Sequence, residues 1–144
     1  MKVEIRKVEK AEEEKAVIAT RQMTGFVRRA ATLLRMEEMM LVGTREDNNY
    51  EIPAHLVYYI EKLDLRTLIH TKNAIYDTEE RIPEIAKRMD DDFLRCAKNR
   101  IVNVRKIRSV KHNGSHRLRA TLLNDEVIDM DRNCLRDLKD ILGI

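Results

Sequence analysis

The chain has 144 residues, of which 43% are apolar, and this suits one domain, or one domain with an extension, around a hydrophobic core. No apolar run approaches the roughly 18 residues of a membrane span, and the charged start at Met1–Arg6 lacks the apolar region of a signal peptide. Cys96 and Cys134 form no CxxC pair. These features predict a cytoplasmic protein with two structural thiols, without membrane insertion or export.

The net charge of +3 conceals a segregated distribution. From Phe93 to Asn124, here called the basic segment, there is no Asp or Glu but there are nine cations, so the rest of the chain sums to −6 (3 minus 9). A charge run is often only a solvated face. Cations without counter-charges also suit a phosphate-rich partner, because each phosphate contact releases counterions. The nine are Arg95, Lys98, Arg100, Arg105, Lys106, Arg108, Lys111, Arg117 and Arg119.

The first 45 residues predict a β-α-β extension. Residues Lys2–Val8 alternate apolar and charged side chains, as a half-buried strand does. Thr20 or Thr24 can cap a helix that ends near Glu38, and Met39–Val42 predicts a second strand. The helix has an apolar stripe that either packs on the protein's own sheet or mediates self-association or regulation: Met23, Phe26, Val27, Ala30 and Leu34.

From Tyr50 onward the pattern predicts short strands, at residues 50–52, 56–61, 66–71 and 74–77, with a tight turn at Lys72-Asn73. Pro83 marks the start of a helix with one apolar side. The acidic run Asp90–Asp92 that follows is typical of a solvated turn between helix and strand, since no further ligand spacing supports a metal site.

The end of the chain predicts a hairpin, a strand and a helix. Asn113-Gly114 is a strong hairpin signal between predicted strands Lys106–His112 and Ser115–Leu123. Val127–Met130 predicts a last strand, and Arg132–Leu142 an amphipathic closing helix. The predicted fold class is therefore α+β and mostly β, with short sheets and a C-terminal helix, preceded by the N-terminal extension.

The sequence contains no recognisable catalytic motif, such as a P-loop, GxGxxG or GxSxG. Cys96 has the cationic neighbours Arg95 and Lys98 but no evident base. His112 and His116 have a metal-ligand spacing only on a helix, and the hairpin signal between them argues against one. We therefore predict no enzyme, no metal and no cofactor.

The block Phe93-Leu94-Arg95-Cys96-Ala97-Lys98-Asn99-Arg100-Ile101-Val102-Asn103 is the most specific motif of the chain. A hairpin signal, the element Ile128–Arg132 and a final helix follow it. This order resembles the LytTR DNA-binding domain family, whose hallmark is approximately F-x-R-x-H-R-S-x-x-V-N, then N-G, then I-x-V-S-R before a helix. The resemblance covers about Tyr50–Ile144, and residues 1–45 resemble the extension of short stand-alone members, which lack a receiver domain.

The resemblance implies a bacterial transcription regulator, with residues 46–144 as the DNA-binding domain and residues 1–45 as a dimerisation or regulatory element. In that family, loops between strands, rather than a recognition helix, enter the major groove of double-stranded DNA. Matching loop by loop places Lys98 and Asn99 in one loop, Arg132 in a second, and Arg66 with its neighbour Lys62 in a third. The predicted DNA-binding residues are Lys62, Arg66, Lys98, Asn99, Arg100, Arg117, Arg119 and Arg132.

Three departures from the hallmark bear on base recognition. Ala97 replaces His, Lys98 replaces Arg, and Asp131 replaces the Ser before Arg132. A lysine lacks the planar fork that reads guanine, so Lys98 suits a phosphate better than a base. Asp131 can cap the last helix as Ser would, although it places a negative charge beside the interface.

Other interpretations of the sequence stay open. Arg66 can be an ordinary outward strand residue, and Arg132 can pair with Asp129 or Asp131. The main rival function is a protein-interaction module, which docks an acidic partner through its basic face and forms a homodimer through the Met23–Leu34 helix. A binder of RNA or single strands is disfavoured, because the chain has four Tyr, two Phe and no Trp, with no aromatic platform.

Overall fold

The computed structural model describes residues 1–13, 15–36, 39–89, 91–112, 114 and 117–142. Short strands dominate this part of the chain, which confirms the predicted mostly β, α+β fold class. The elements are α1 Gly25–Met36, β1 Met40–Arg45, β2 Asn48–Pro53, β3 Val57–Leu63, β4 Arg66–Thr71, β5 Ile75–Thr78, α2 Ile82–Arg88, β6 Phe93–Ala97, β7 Arg100–Asn103, β8 Ile107–His112, β9 Arg117–Leu122, β10 Val127–Asp131 and α3 Cys134–Leu142.

The strands form two antiparallel sheets. One has the order β2-β1-β5-β4-β3-β7-β6, and the other has the order β10-β9-β8. β1 pairs with β2 along its whole length and with β5 at Thr44, and its Leu41 is buried in the core. The division of the chain at residue 45 therefore falls inside the β1–β2 hairpin.

The hydrophobic core has two clusters. In one the larger sheet packs against α2, and in the other the smaller sheet packs with β3, β6 and β7 of the larger sheet against α3. On β9, Leu118, Ala120 and Leu122 point inward, so Arg117 and Arg119, which alternate with them, lie on the outer face. Asn103 is fully buried, where its amide donates to the Val57 carbonyl (2.9 Å) and its oxygen accepts from the Arg105 N–H (3.0 Å).

The predicted starts of the first two helices are confirmed. The Thr24 hydroxyl accepts the Val27 N–H (3.2 Å) at the start of α1, and Pro83 lies in the first turn of α2. α1 packs on the body of the protein through buried Val27 and Thr32, and the Arg28 guanidinium donates to the Asp140 carbonyl (3.4 Å). α1 is therefore a docked helix rather than a free arm.

The strand predicted over Lys2–Val8 is wrong. Within the described residues 1–13 and 15–24 the chain forms no strand, and Ile5 is 96% exposed. Alternating polarity makes a strand only where another strand offers backbone partners, and none pairs with this segment in the described part of the protein. The extension is thus an irregular segment followed by α1.

Two local predictions near the acidic residues also fail. Asp92, expected in a solvated turn, is only 3% exposed and forms an ion pair with Arg105 (3.3 Å), because burial of this carboxylate is compensated by the cation. Asp131 does not cap the last helix, since it ends β10 and α3 begins only at Cys134. The predictions for Asp90, Asn113 and His116 lie outside the described residues.

Candidate nucleic-acid interface

Two hairpin turns lie side by side at one end of the larger sheet. The β3–β4 hairpin turns at Asp64-Leu65, after the pair Leu63 and Arg66, and the β6–β7 hairpin turns at Lys98-Asn99. The Lys62 N–H donates to the Asn99 carbonyl at 2.8 Å, which fixes one turn against the other. We call residues 62–66 and 97–100 the paired hairpin tips.

Four of the predicted residues line one cleft at these tips, namely Lys62, Arg66, Lys98 and Asn99. All four are exposed, and the two lysines have no ion-pair partner among the described residues. Arg95 lines the same cleft, although it was not among the predicted DNA-binding residues. Its guanidinium donates to the Lys98 carbonyl (2.9 Å). Arg95 thus holds the turn that presents Lys98.

Arg66 is at the tips but is already engaged. Its Nε and Nη2 donate to the two carboxylate oxygens of Asp77 on β5, at 2.7 and 2.8 Å. This hydrogen bonding raises the pKa of Arg66 and lowers the pKa of Asp77. The two parallel bonds occupy one edge of the guanidinium, so Arg66 contacts DNA with that edge only if Asp77 releases it.

Arg100 points into the protein. Its Nη2 pairs with Glu61 (3.1 Å), its Nη1 donates to the Asp129 carbonyl of β10 (2.9 Å), and it lies over the Tyr59 ring. Glu61 also binds His70 Nε2 (2.9 Å), and the His70 ring stacks on Tyr59 at 4.0 Å. We call these four residues the Glu61 network. Arg100 links the two sheets, and about a quarter of its side chain is exposed (26%).

Tyr59 belongs to this network as a neutral phenol. Burial is the main reason that its pKa is raised, and a hydrogen bond to Glu126 raises it further. The stack of Tyr59 on His70 and the two contacts of Glu61 leave little freedom for Arg100. The arrangement is that of an interior support for the β6–β7 tip.

Arg117 and Arg119 lie elsewhere, on the outer face of the smaller sheet. Arg119 sits between Lys111 and Asp129 in the strand register, and its Nε lies 3.3 Å from the Asp129 carboxylate. Arg117 is exposed opposite Asp131. The predicted set is therefore divided between the paired hairpin tips and a second, partly neutralised face.

Arg132 occupies the turn between β10 and α3. It lines a shallow depression together with Arg136 and Lys139 of α3. Neither of these two cations was predicted from the sequence, although Arg136 and Lys139 are three residues apart and so share one face of α3. The structure thus adds Arg136 and Lys139 to the candidate interface.

The basic segment is less basic in the folded protein than in the sequence. Four of its nine cations form ion pairs with acids outside the segment: Arg100 with Glu61, Arg105 with Asp92, Arg108 with Asp125, and Arg119 with Asp129. The others have no ion pair within the described ranges: Arg95, Lys98, Lys106, Lys111 and Arg117. Lys106 lies over the Tyr58 ring, 5.3 Å from its centre.

The two thiols are not placed for catalysis. Cys96 and Cys134 are both buried and free, and burial raises their pKa values to about 12 and about 11. The described residues contain no cluster of three or more His, Cys, Asp or Glu side chains that could hold a metal ion. In the same part of the chain, no helix is long and apolar enough to cross a membrane.

The fold and the paired hairpin tips are those of a small, β-rich binding domain. The family model of the LytTr DNA-binding domain matches residues 47–143, which is more than half of the chain. The chain therefore belongs to the LytTR family, a family of DNA-binding domains rather than enzymes, as the resemblance predicted.

A solved structure agrees with this assignment. The chain is similar to a LytTr DNA-binding domain from Bacillus cereus, with a TM-score of 0.67 and 19% sequence identity, over 74% of this chain and 99% of that chain. At this identity the similarity shows the fold. Among curated proteins, none matches the chain.

Proposed function

We propose that this protein is a cytoplasmic, sequence-specific transcription regulator that binds double-stranded DNA by inserting the paired hairpin tips into the major groove. The observation that carries the proposal is the bond from Lys62 N–H to the Asn99 carbonyl (2.8 Å). It holds two exposed lysines on adjacent, rigid turns, an arrangement suited to phosphates on either side of a groove. Membership of a DNA-binding family supports duplex DNA as the partner.

Within this proposal the residues of the candidate interface have different roles. Lys98 contacts phosphate, because its ammonium is a point charge on a flexible stem. Asn99 carries an amide of the kind that pairs with the adenine edge. Arg132 keeps the guanidinium fork that reads guanine, and Arg136 and Lys139 beside it add phosphate contacts.

Selection of bound duplexes from a random pool, followed by a salt series on the enriched site, tests the function. Lys98→Ala should weaken binding to the enriched and to a random duplex alike and reduce the salt slope by about 0.9. Lys72→Ala is the matched control, since Lys72 is an exposed lysine at the opposite end of β4. Absence of enrichment together with salt-independent binding would reject the proposal.

Arg132 offers a separate test of base reading. Arg132→Ala should cost about 1–3 kcal/mol on the enriched site and relax preference at one base pair, and Arg132→Lys should restore little of either. Thermal unfolding measured beside binding identifies a structural role. A lower melting temperature with unchanged base preference would show that Arg132 stabilises the fold rather than reading a base.

The alternative function, a protein-interaction module, is favoured by a different surface. α1 docks with Val27, and Met23 and Leu34 line one cleft with it, but two large apolar side chains are exposed on another face of the helix: Phe26 (59%) and Leu33 (62%). Positions 26, 30 and 33 of α1 have the a/d spacing of a helix–helix seam. We infer that this seam mediates a homodimer or binds a regulatory protein.

If the extension serves association only, it comprises residues 1–39. β1 supplies Leu41 to the core, so a truncation that starts at residue 45 removes part of the sheet. A fragment that starts at residue 39 should fold and bind DNA if the extension serves association only. Loss of folding in that fragment would show that α1 is part of the domain.

A further inference from the structure

Leu65 lies at the turn of the β3–β4 hairpin with its side chain almost fully in solvent. It is 97% exposed, more than any other large apolar residue of the described chain. Asp64 supplies the left-handed conformation of this two-residue turn (φ 57°), where Asn or Gly is usual. Leu65 therefore contributes to neither the turn geometry nor the core, and a polar residue would serve there equally well.

The hairpin that carries Leu65 projects beyond its neighbour. β3 runs beside β7 as far as the Glu61–Arg100 pair and the Lys62–Asn99 bond, after which only Leu63 to Leu65 continue. Two to three extended residues project by about 7–10 Å. The major groove is about 8.5 Å deep and admits a two-stranded β-ribbon. If Lys62 and Lys98 lie at the level of the phosphates, the turn reaches the base edges.

The base of this hairpin is fixed. Arg66, paired with Leu63 at the start of the turn, is held by its two hydrogen bonds to Asp77. The ion pair keeps the hairpin in one orientation and directs the guanidinium toward β5 rather than toward the tip. Asp64 places a carboxylate at the tip, which disfavours a phosphate as the neighbour of this turn.

We propose that Leu65 is a specificity-determining residue that packs against the 5-methyl group of a thymine on the floor of the major groove. The inference rests on the proposed duplex binding and deepens it. Leucine has no hydrogen-bonding group, and the thymine methyl is the apolar feature among the base edges of that groove. Asp64 beside it can accept from a cytosine N4 amino group, which suits a contact with bases rather than with backbone.

Uracil substitution tests the contact, because it removes only the methyl group. In the duplex enriched from the random pool, each thymine is replaced in turn by uracil and affinity is measured with the full chain. At one or two positions the wild-type protein should bind about three- to fivefold more weakly, the effect of one buried methyl group. Leu65→Ala should bind the thymine and uracil duplexes equally.

Leu123→Ala is the control, since Leu123 is an exposed leucine in the β9–β10 turn and should leave the thymine preference intact. Three results overturn the inference alone: an enriched site without thymine, indifference of the wild type to every uracil substitution, or a preference that survives Leu65→Ala. Failure of the wild type to bind any duplex would instead overturn the proposed function, and the inference with it.

Discussion

Arg100→Ala should destabilise the protein and leave its phosphate contacts intact. The substitution removes an ion pair to Glu61 and a hydrogen bond to the Asp129 carbonyl. A hydrogen bond to a charged group contributes about 1.5–3 kcal/mol, and water replaces part of this because Arg100 is partly exposed. We expect the free energy of unfolding to fall by about 2–3 kcal/mol, which lowers the melting temperature by roughly 6–12 °C for a chain of this size.

Lys98 is the matched comparison, two residues away and exposed. Lys98→Ala should change the free energy of unfolding by less than about 0.5 kcal/mol and reduce the salt slope of duplex binding. Circular dichroism on heating and a salt series at a temperature where both variants are folded measure the two effects. A Glu61→Gln, Arg100→Ala double mutant should show a coupling of about 0.5–3 kcal/mol, because the two side chains are in direct contact.

The opposite pattern would refute this reasoning. If Arg100→Ala keeps the melting temperature of the wild type and reduces the salt slope by about 0.9, then Arg100 leaves the Glu61 network to meet a phosphate. The interior position of its guanidinium would then describe the unbound protein alone.

Four further predictions follow from the charges and burial described above. The salt slope should be roughly −4.5 to −5.5, for five or six phosphate contacts at −0.9 each, and a slope near −8 would show that the paired arginines also bind. Asp77→Asn should free Arg66 and tighten binding to random duplexes; unchanged binding would show that Arg66 does not face DNA. Phe26→Asp should lower the mass of any dimer seen by sedimentation, whereas a surviving dimer would place the seam elsewhere. The pKa of Cys96 is raised to about 12 in the folded protein, so above about pH 9 the thiol loses its proton first in the unfolded chain, and the free energy of unfolding should fall by up to about 1.4 kcal/mol per pH unit. Urea titrations at several pH values should show a shallower fall for Cys96→Ala than for the wild type, and equal falls would contradict the raised pKa of Cys96.

Local sequence signals predicted most of the elements. Pro83 and Thr24 act within a few residues of their own positions, and α1 and α2 begin where those signals place them. The alternation at Lys2–Val8 failed because a strand also needs a partner strand, whose presence depends on the whole fold. Pattern alone carries no information about that partner.

For the same reason, the sequence could not predict which cations form ion pairs in the folded protein. Arg66 and Asp77 are 11 residues apart in sequence, and Arg100 and Glu61 are 39 apart. Within the basic segment Arg100 has no acid to pair with, so the sequence suggests a free charge, and for Arg66 the sequence does not indicate Asp77 as the partner. The strand order places β5 beside β4 and β3 beside β7, and this brings the Asp77 and Glu61 carboxylates to the two arginines.

The order of strands in the two sheets has a consequence for folding. β8, β9 and β10 follow one another and pair in sequence, whereas the larger sheet needs Tyr59 to meet Val102, which is 43 residues away (102 minus 59). Distant pairing is slow because the intervening loop must be closed before contacts compensate for the lost chain entropy. We expect the small sheet to form early and the β3–β7 pairing to limit the rate. Until that step the edge of β7 that later receives β3 offers unpaired backbone groups to other chains.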